Sequence, residues 1–336
     1  MNTLLLSGAE CQKAADIIKN GGVVAIPTET VYGLAANTFD EDAVKKIFLA
    51  KGRPSDNPLI AHISDLKSIH ELVSSFPEAA QKLANKFWPG PLTMILPKKP
   101  GVPYCVTAGM ESVAVRFPSH PIAREIIKKS GVPLVAPSAN ISGKPSPTAF
   151  EHVVHDLDGK VDAIVDGGNC SVGVESTVIS FLSSIPKILR PGFITADDIK
   201  SVIGNVEVDK AVYENLKKGQ KVLSPGMKYK HYSPDADVYL VVGNTADYSK
   251  YVNSKNKSDS LALSLDEDIP FLKIPYISYG SEKNINDQER NLFGALRKID
   301  NMNIKKVYAH FSGDISKNLA VYNRLVRAAG FKIINV

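Results

Sequence analysis

The chain has 336 residues, comfortable for two domains at roughly 100–200 residues each. With 44% hydrophobic and 22% charged residues, 23 Gly and 21 Pro, it can build real cores and is not disordered, collagen-like or a disulfide scaffold. Forty Lys and Arg against 35 Asp and Glu leave a formal charge of +5. That is too mild for a histone-like binder, so an anionic partner, nucleotide or nucleic acid, must be met by local clusters.

The N-terminus carries the apolar triplet Leu4-Leu5-Leu6 without the basic and apolar regions of a signal segment. No apolar run approaches the ~20 residues of a membrane span, so a soluble, cytoplasmic chain with no membrane partner is expected. Cys11, Cys105 and Cys170 form no C-x-x-C pair and read as packing residues in a reducing compartment.

Residues 14–19 read as a helix stopped by Gly21-Gly22, and residues 23–26 as a short apolar strand. A helix follows over 42–48, with Val44, Ile47 and Phe48 on one face. Strands are predicted at 59–63, 92–96, 113–115, 134–135, 161–165 and 177–181, and helices at 78–87, 121–129 and from 149. Thr148 and Glu151 have capping-box spacing for the last of these. The alternation is uneven, which argues against a simple doubly wound sheet.

Beyond residue 236 the alternation is cleaner: strands at 238–242, 261–265, 274–278, 306–311 and 332–336, helices at 288–299 and 318–329. A small Rossmann-like layer fold is expected, and without G-x-G-x-x-G it does not imply a dinucleotide. Between the halves, residues 216–234 hold five lysines and His231 but no acid, interleaved with Met227, Tyr229 and Tyr232. This is either a solvated basic connector or a segment lying on an anionic ligand. The expected organisation is an α/β domain over 1–210, a linker over 211–235 and a Rossmann-like α/β domain over 236–336.

Gly168 to Gly173 has P-loop spacing, but Val174 follows where Lys is required; G-x-S-x-G and H-E-x-x-H are absent. Polar loops at strand ends stand out instead: 27–34, 51–58, 137–143 and 173–177. Lys51 and Arg53, two apart in a Gly/Pro-constrained loop, can converge on one anion, although cations after a helix C-terminus are favoured in any case. Ser138, Asn140 and Ser146 offer hydroxyl and amide groups that ordinary capping would also explain. His62 inside an apolar strand fits a satisfied core histidine, whereas Arg116 and Arg190, at strand ends, call for partners. Trp88 reads as a packing anchor. Spacing alone reaches an α/β domain that binds phosphate or carboxylate, and stops.

The stretches Pro27-Thr28-Glu29-Thr30-Val31-Tyr32-Gly33-Leu34, Lys51-Gly52-Arg53, Asn57-Pro58-Leu59, Trp88-Pro89-Gly90-Pro91, Pro137-Ser138-Ala139-Asn140 and Val174-Glu175-Ser176-Thr177 resemble the YrdC-type domain. The linker ending His231-Tyr232-Ser233-Pro234 is similar to that of the two-domain threonylcarbamoyl-AMP synthases, while the C-terminal part matches only in layout. The resemblance implies a YrdC-like twisted open α/β sheet joined by a basic linker to the Rossmann-like domain. It also implies a reaction of L-threonine, bicarbonate and ATP giving threonylcarbamoyl-AMP and pyrophosphate, for use by a tRNA threonylcarbamoyltransferase complex. Contact with tRNA itself is compatible with this but not needed.

By the same resemblance, Thr30, His62, Arg116, Ala136 and Ser176 meet threonine. Arg53, Asn57, Ser112, Ser138, Asn140, Ser146, Arg190 and Tyr232 meet ATP, and Lys51 joins Arg53 in offsetting the charge of the reaction. The chemistry calls for Mg²⁺ on the triphosphate, yet no carboxylate cluster to hold it is visible in the sequence. The linker is then expected to act as a lid over the nucleotide. An RNA-binding YrdC-type module without catalysis is the alternative. The carbamoyl-transfer domain of a larger maturation enzyme would require zinc-type cysteines that three scattered Cys cannot supply.

Overall fold

Apolar strands too short to be stable alone are gathered into two sheets in the computed structural model, which describes residues 2–214, 232–315 and 318–336. The larger sheet has eleven strands. From one edge they are Leu4–Leu6, Ala163–Val165, Val24–Ile26, Gly33–Asn37, Leu134–Val135, Ile60–His62, Ser112–Arg116, Leu92–Pro97, Thr177–Ser180, Lys187–Arg190 and Glu207–Val208. Pairing is mixed: Ile60–His62 runs parallel to Ser112–Arg116 but antiparallel to Leu134–Val135. Helices Cys11–Lys19 and Pro121–Ser130 cover part of the sheet through Ala14, Ile18, Ile126 and Ile127. A second, larger core gathers Val44 and Ile47 of helix Glu41–Lys51 and Leu83 of helix Glu78–Phe87. Trp88 is buried there, donating its indole N–H to the Leu92 carbonyl at 2.7 Å.

The smaller sheet is wholly parallel, in the order Tyr276–Ser278, Ser260–Ser264, Lys306–Phe311, Asp237–Val242, Ile333–Asn335. Its central strands are nearly continuous apolar runs, as a parallel sheet buried on both faces requires. Among the described residues no helix is long and apolar enough to cross a membrane. All three cysteines are free thiols, with Cys11 and Cys170 in the cores.

The two halves share an apolar seam. Val31 and Val174, from loops of the first half, are buried in the core of the second beside Tyr232, Leu292 and Phe293. The chain closes to contact here: a Cβ on Gly173 (φ +87°) would lie 2.3 Å from Arg290 Cα. Only glycine serves both the backbone angle and the approach. At the rim, Arg297 grips Asp156 with two N–H···O bonds of 3.1 and 2.8 Å, a bidentate pair across the seam. Burial would raise the Asp156 carboxyl, but Arg297 outweighs it and holds the group below its usual range.

Several expectations change. The capping box at Thr148 does not form: the helix is Phe150–Leu157, its N-cap is Ala149, and no side chain caps it. Thr148 is held outside the helix because its carbonyl accepts from Cys170 N at 2.9 Å and its N–H donates to His152 Nδ1 at 3.2 Å. A capping box does form at Thr195 and Asp198, before helix Ala196–Ile203. Strand Gly33–Asn37 and helix Thr245–Asn253 lacked clear sequence signals, the first because Gly and Ala are poor strand formers. Most of the linker expected as a lid, 216–231, lies outside the described residues.

Replacing Gly173 with Ala should destabilise the chain by about 1–3 kcal/mol, from overpacking and a left-handed φ. Gly101, whose Cβ would meet nothing within 4 Å, is the control. Urea midpoints check this, and equal midpoints for Gly173→Ala and Gly101→Ala would contradict the seam as described.

Candidate active site

One cavity is lined by Pro58 and Leu59, by Ile60 and His62 of the strand that follows them, and by Arg116 at the C-terminal end of the parallel neighbour Ser112–Arg116. Arg53, His62, Arg116, Ala136, Ser138, Glu175, Arg190 and Tyr232 line it. Seven of these eight were expected from the sequence; Glu175, in the stretch Val174-Glu175-Ser176-Thr177, was not assigned a role.

His62 and Arg116 are register partners, so their side chains share one face of the sheet. His62 Nδ1 lies 3.0 Å from the Ile60 carbonyl, to which it donates. Burial, then the Arg116 charge, pushes its pKa down to about 3, so the imidazole is neutral at physiological pH. Arg116 Nη2 sits 2.9 Å from Glu29 Oε1, both side chains buried. Yet Arg116 Nε and Nη2 make no well-aligned hydrogen bond, and neither do the Glu29 oxygens. A guanidinium close to one carboxylate with donors left over suits the docking of a second.

The loop that carries Glu29 is fixed by its own hydroxyls. Thr28 Oγ1 accepts from the Thr30 and Val31 N–H groups at 3.2 and 3.3 Å and donates to the Val31 carbonyl at 2.6 Å. Thr30, expected at the site, is fully buried with its hydroxyl 3.0 Å from Thr28 Oγ1, and does not line the cavity.

The opposite wall is built on cations. Arg190 donates from Nε to the Ser176 carbonyl at 3.1 Å and from Nη2 to Ser176 Oγ at 3.2 Å. Ser176 Oγ in turn lies 2.7 Å from Thr93 Oγ1, so Ser176 supports Arg190 from behind the cavity. Arg53 donates from Nη2 to the Asn57 and Pro58 carbonyls at 3.2 and 3.1 Å, and its buried Nε is unpaired. Asn57 Oδ1 beside it is also buried without a partner. Burial lowers the Arg53 pKa to about 10, leaving it charged at neutral pH. Neither Arg53 nor Arg190 has an ion-pair partner among the described residues.

Lys51 stands behind this wall. Its ammonium donates to the Ser138 carbonyl, to the Asn140 carbonyl at 2.7 Å and toward Asn140 Oδ1 at 3.4 Å. Asn140 Nδ2 donates on to the Ile141 and Lys144 carbonyls at 2.8 and 2.9 Å. The pair thus ties the end of helix Glu41–Lys51 to the Ser138 loop, and neither lines the cavity. Ser112, buried at the other end of its strand, alternates onto the face of Ala114 and Arg116 but does not line the cavity.

Arg324, on helix Leu319–Ala328 of the second half, does not line the cavity but holds Glu175, which does. It donates from Nε to Glu175 Oε2 at 2.9 Å, from Nη2 to the Glu175 carbonyl at 3.2 Å and from Nη1 to the Pro191 carbonyl at 2.6 Å. Glu175 Oε1 accepts from Ser146 Oγ, which places Ser146 beneath the cavity. Burial alone would raise the Glu175 carboxyl, but Arg324 and then Arg190 hold it below its ordinary value. Tyr232, at φ +63°, lies over this pair with its ring 5.1 Å from Phe293 and 5.8 Å from the Arg324 guanidinium.

The imidazole gives a sharp check. With a folded pKa near 3 and an unfolded value of about 6.5, only the unfolded chain gains this proton as pH falls below ~6.5, so His62 costs stability there. Its carbon-13 ring shifts should not titrate between pH 5 and 8, and a midpoint near 6.5 would contradict the burial described.

Residues 16–192 match the Sua5, YciO and YrdC family, described as "Telomere recombination", and residues 194–330 match "Threonylcarbamoyl-AMP synthase, C-terminal domain". The chain is 45% identical over 326 residues to the threonylcarbamoyl-AMP synthase of Bacillus subtilis, covering 96% of this chain and 93% of that one. It is 44% identical to that of Pyrococcus abyssi, covering 96% and 95%. A crystal structure of P. abyssi Sua5 complexed with L-threonine superposes with a TM-score of 0.91 at 41% identity, covering 100% of both chains. With both halves matched in order and one continuous alignment across the seam, the chain belongs to the threonylcarbamoyl-AMP synthase family.

Proposed function

We propose that the chain condenses L-threonine, bicarbonate and ATP into L-threonylcarbamoyl-AMP and pyrophosphate. The observation that carries the reading is three guanidiniums on one cavity, Arg116 and Arg190 buried and Arg53 half-buried, of which Arg53 and Arg190 make no ion pair within 4 Å among the described residues. Such a site is incomplete until anions enter it.

The threonine amine attacks the bicarbonate carbon, forming an N–C bond with loss of water. A carbamate oxygen then attacks the α-phosphorus, and the bond to the β-phosphate oxygen breaks to release pyrophosphate. No covalent bond to the protein is needed, so catalysis is positioning and charge neutralisation. Arg116 receives the threonine carboxylate on its unpaired donors. His62, neutral, packs beside the amine without repelling a developing positive charge, and Ala136 offers its backbone. Arg53 and Arg190 face the phosphates with Ser138 and Tyr232, and Asn57 Oδ1 accepts a nucleotide donor. Thr30, Ser112, Ser146, Ser176, Lys51 and Asn140 act through the groups they hold or adjoin.

Mg²⁺ enters with ATP as part of the substrate. Among the described residues no group of three His, Cys, Asp or Glu could hold a metal, and Glu175 already accepts from Ser146 and Arg324. These residues do not fit a protein-held ion, and no step is routed through one; phosphate and water supply its ligands. The product, a reactive mixed anhydride, passes to a cytoplasmic tRNA threonylcarbamoyltransferase complex, with no tRNA contact required of this chain.

Incubation with ATP, bicarbonate and single amino acids should release pyrophosphate with threonine; release with serine but not threonine would overturn the substrate. Arg53→Ala should lower kcat about 10²–10³-fold, equivalent to about 2.7–4 kcal/mol in the barrier. Activity within about threefold of wild type would remove Arg53 from its role.

A further inference from the structure

A second cavity, ≈ 430 Å³, opens on the seam between the halves and shares no described ligand-facing residue with the first. Three helices begin on it: Ala196–Ile203 through Ala196, Ile285–Asp300 through Ile285 and Asn286, and Leu319–Ala328 through Leu319 and Ala320. Each cap side chain answers one N–H of its own helix: Thr195 that of Asp198, Asn284 that of Asp287, Asn318 that of Val321. The first-turn N–H groups of Ala196, Ile285, Asn286, Leu319 and Ala320 have no acceptor among the described residues. Such groups point out of a helix along its axis and favour an anion.

An independent feature sits in the same space. Glu289 is 5% exposed, its side chain borders the cavity, and its carboxylate makes no hydrogen bond or ion pair among the described residues. Burial raises its pKa to about 7, offset only in part by the Arg324 charge. Asp198, the other acid on the wall, is already used in the capping box with Thr195. An unpaired buried carboxylate wants a cationic donor, which is the opposite demand from the helix ends. Phosphate would answer only the helix ends, and a metal ion or simple amine only Glu289. Ile188, Ile194, Val208 and Leu319 give the same cavity apolar lining.

We propose that this seam cavity binds a small apolar α-amino acid, its carboxylate on the three helix N-termini, its ammonium on Glu289 and its side chain against the apolar wall. The volume falls within the ~300–1,000 Å³ of small-molecule sites. Binding is independent of whether the chain makes an adenylate, so it is read directly, on the full chain without ATP.

L-leucine, L-isoleucine, L-valine and L-methionine are titrated singly by calorimetry, with amide shifts of Ala196, Leu319 and Ala320 followed by NMR. At least one should bind one-to-one and move these amides, while isovalerate, isoamylamine and inorganic phosphate, each meeting half the site, bind at least tenfold more weakly. Glu289→Gln, nearly isosteric, should weaken binding at least tenfold. Ala196→Trp, which fills the mouth with Glu289 intact, should abolish it. No binding by any of the four, equal binding by phosphate, or unchanged affinity in Glu289→Gln would overturn the proposal.

Discussion

Arg324 carries a full positive charge where no solvent reaches it, and three acceptors of the other half of the molecule surround it: Glu175 Oε2, the Glu175 carbonyl and the Pro191 carbonyl. Placing a guanidinium there is costly unless its donors are met, and removing one partner of such a pair typically costs about 3–5 kcal/mol. The acceptors therefore have little freedom. Glu175 is fixed, Ser146 is oriented by Glu175, and Pro191-Gly192 is held behind Arg190. A helix of the smaller domain thus shapes the floor of a cavity whose other walls belong to the larger one and, at Tyr232, to the connector. The apolar seam of Val31, Val174, Tyr232 and Phe293 keeps water from the pair and makes its geometry more binding still.

The cavity itself collects more positive than negative charge: Arg53, Arg116 and Arg190 line it with Glu175 as its one lining carboxylate among the described residues. Arg53 and Arg190 rest on backbone carbonyls and a hydroxyl, partners that orient a cation but do not cancel it. Arg116 has a carboxylate neighbour and donors in reserve. His62 contributes no charge at all. Lys51 is turned away to hold the Ser138 loop, so two cations that adjoin in sequence divide into one that faces the cavity and one that braces its wall. A preorganised set of this kind stabilises anions at no reorganisation cost when they arrive, which suits a reaction that joins a carbamate to a phosphate.

Much of this was legible in the sequence because the site is built from loops rich in Gly, Pro and hydroxyl residues, whose spacing has few other uses. Arg53, Arg116 and Arg190 were recognisable as cations near strand ends. The division between Lys51 and Arg53 was not, because it depends on where the Ser138 loop returns, 87 residues away. Arg324 and Glu289 carried no local signal: each is one charged position in an amphipathic helix, and only the packing of the halves buries them. The same holds for Thr148, whose capping pattern is correct but whose backbone is already engaged with Cys170. Secondary structure failed where side chains are small, as in Gly33–Asn37, since tertiary pairing rather than propensity makes that strand.

A double-mutant cycle tests most directly whether the smaller domain sets the catalytic floor through one ion pair. Adenylate formation would be measured for Glu175→Gln, Arg324→Met and the double variant, each checked for folding by circular dichroism. If Arg324 acts through Glu175, the double variant loses little more activity than Arg324→Met alone, a coupling of about 0.5–3 kcal/mol. Losses that simply multiply would show the two residues acting independently, and would contradict the account.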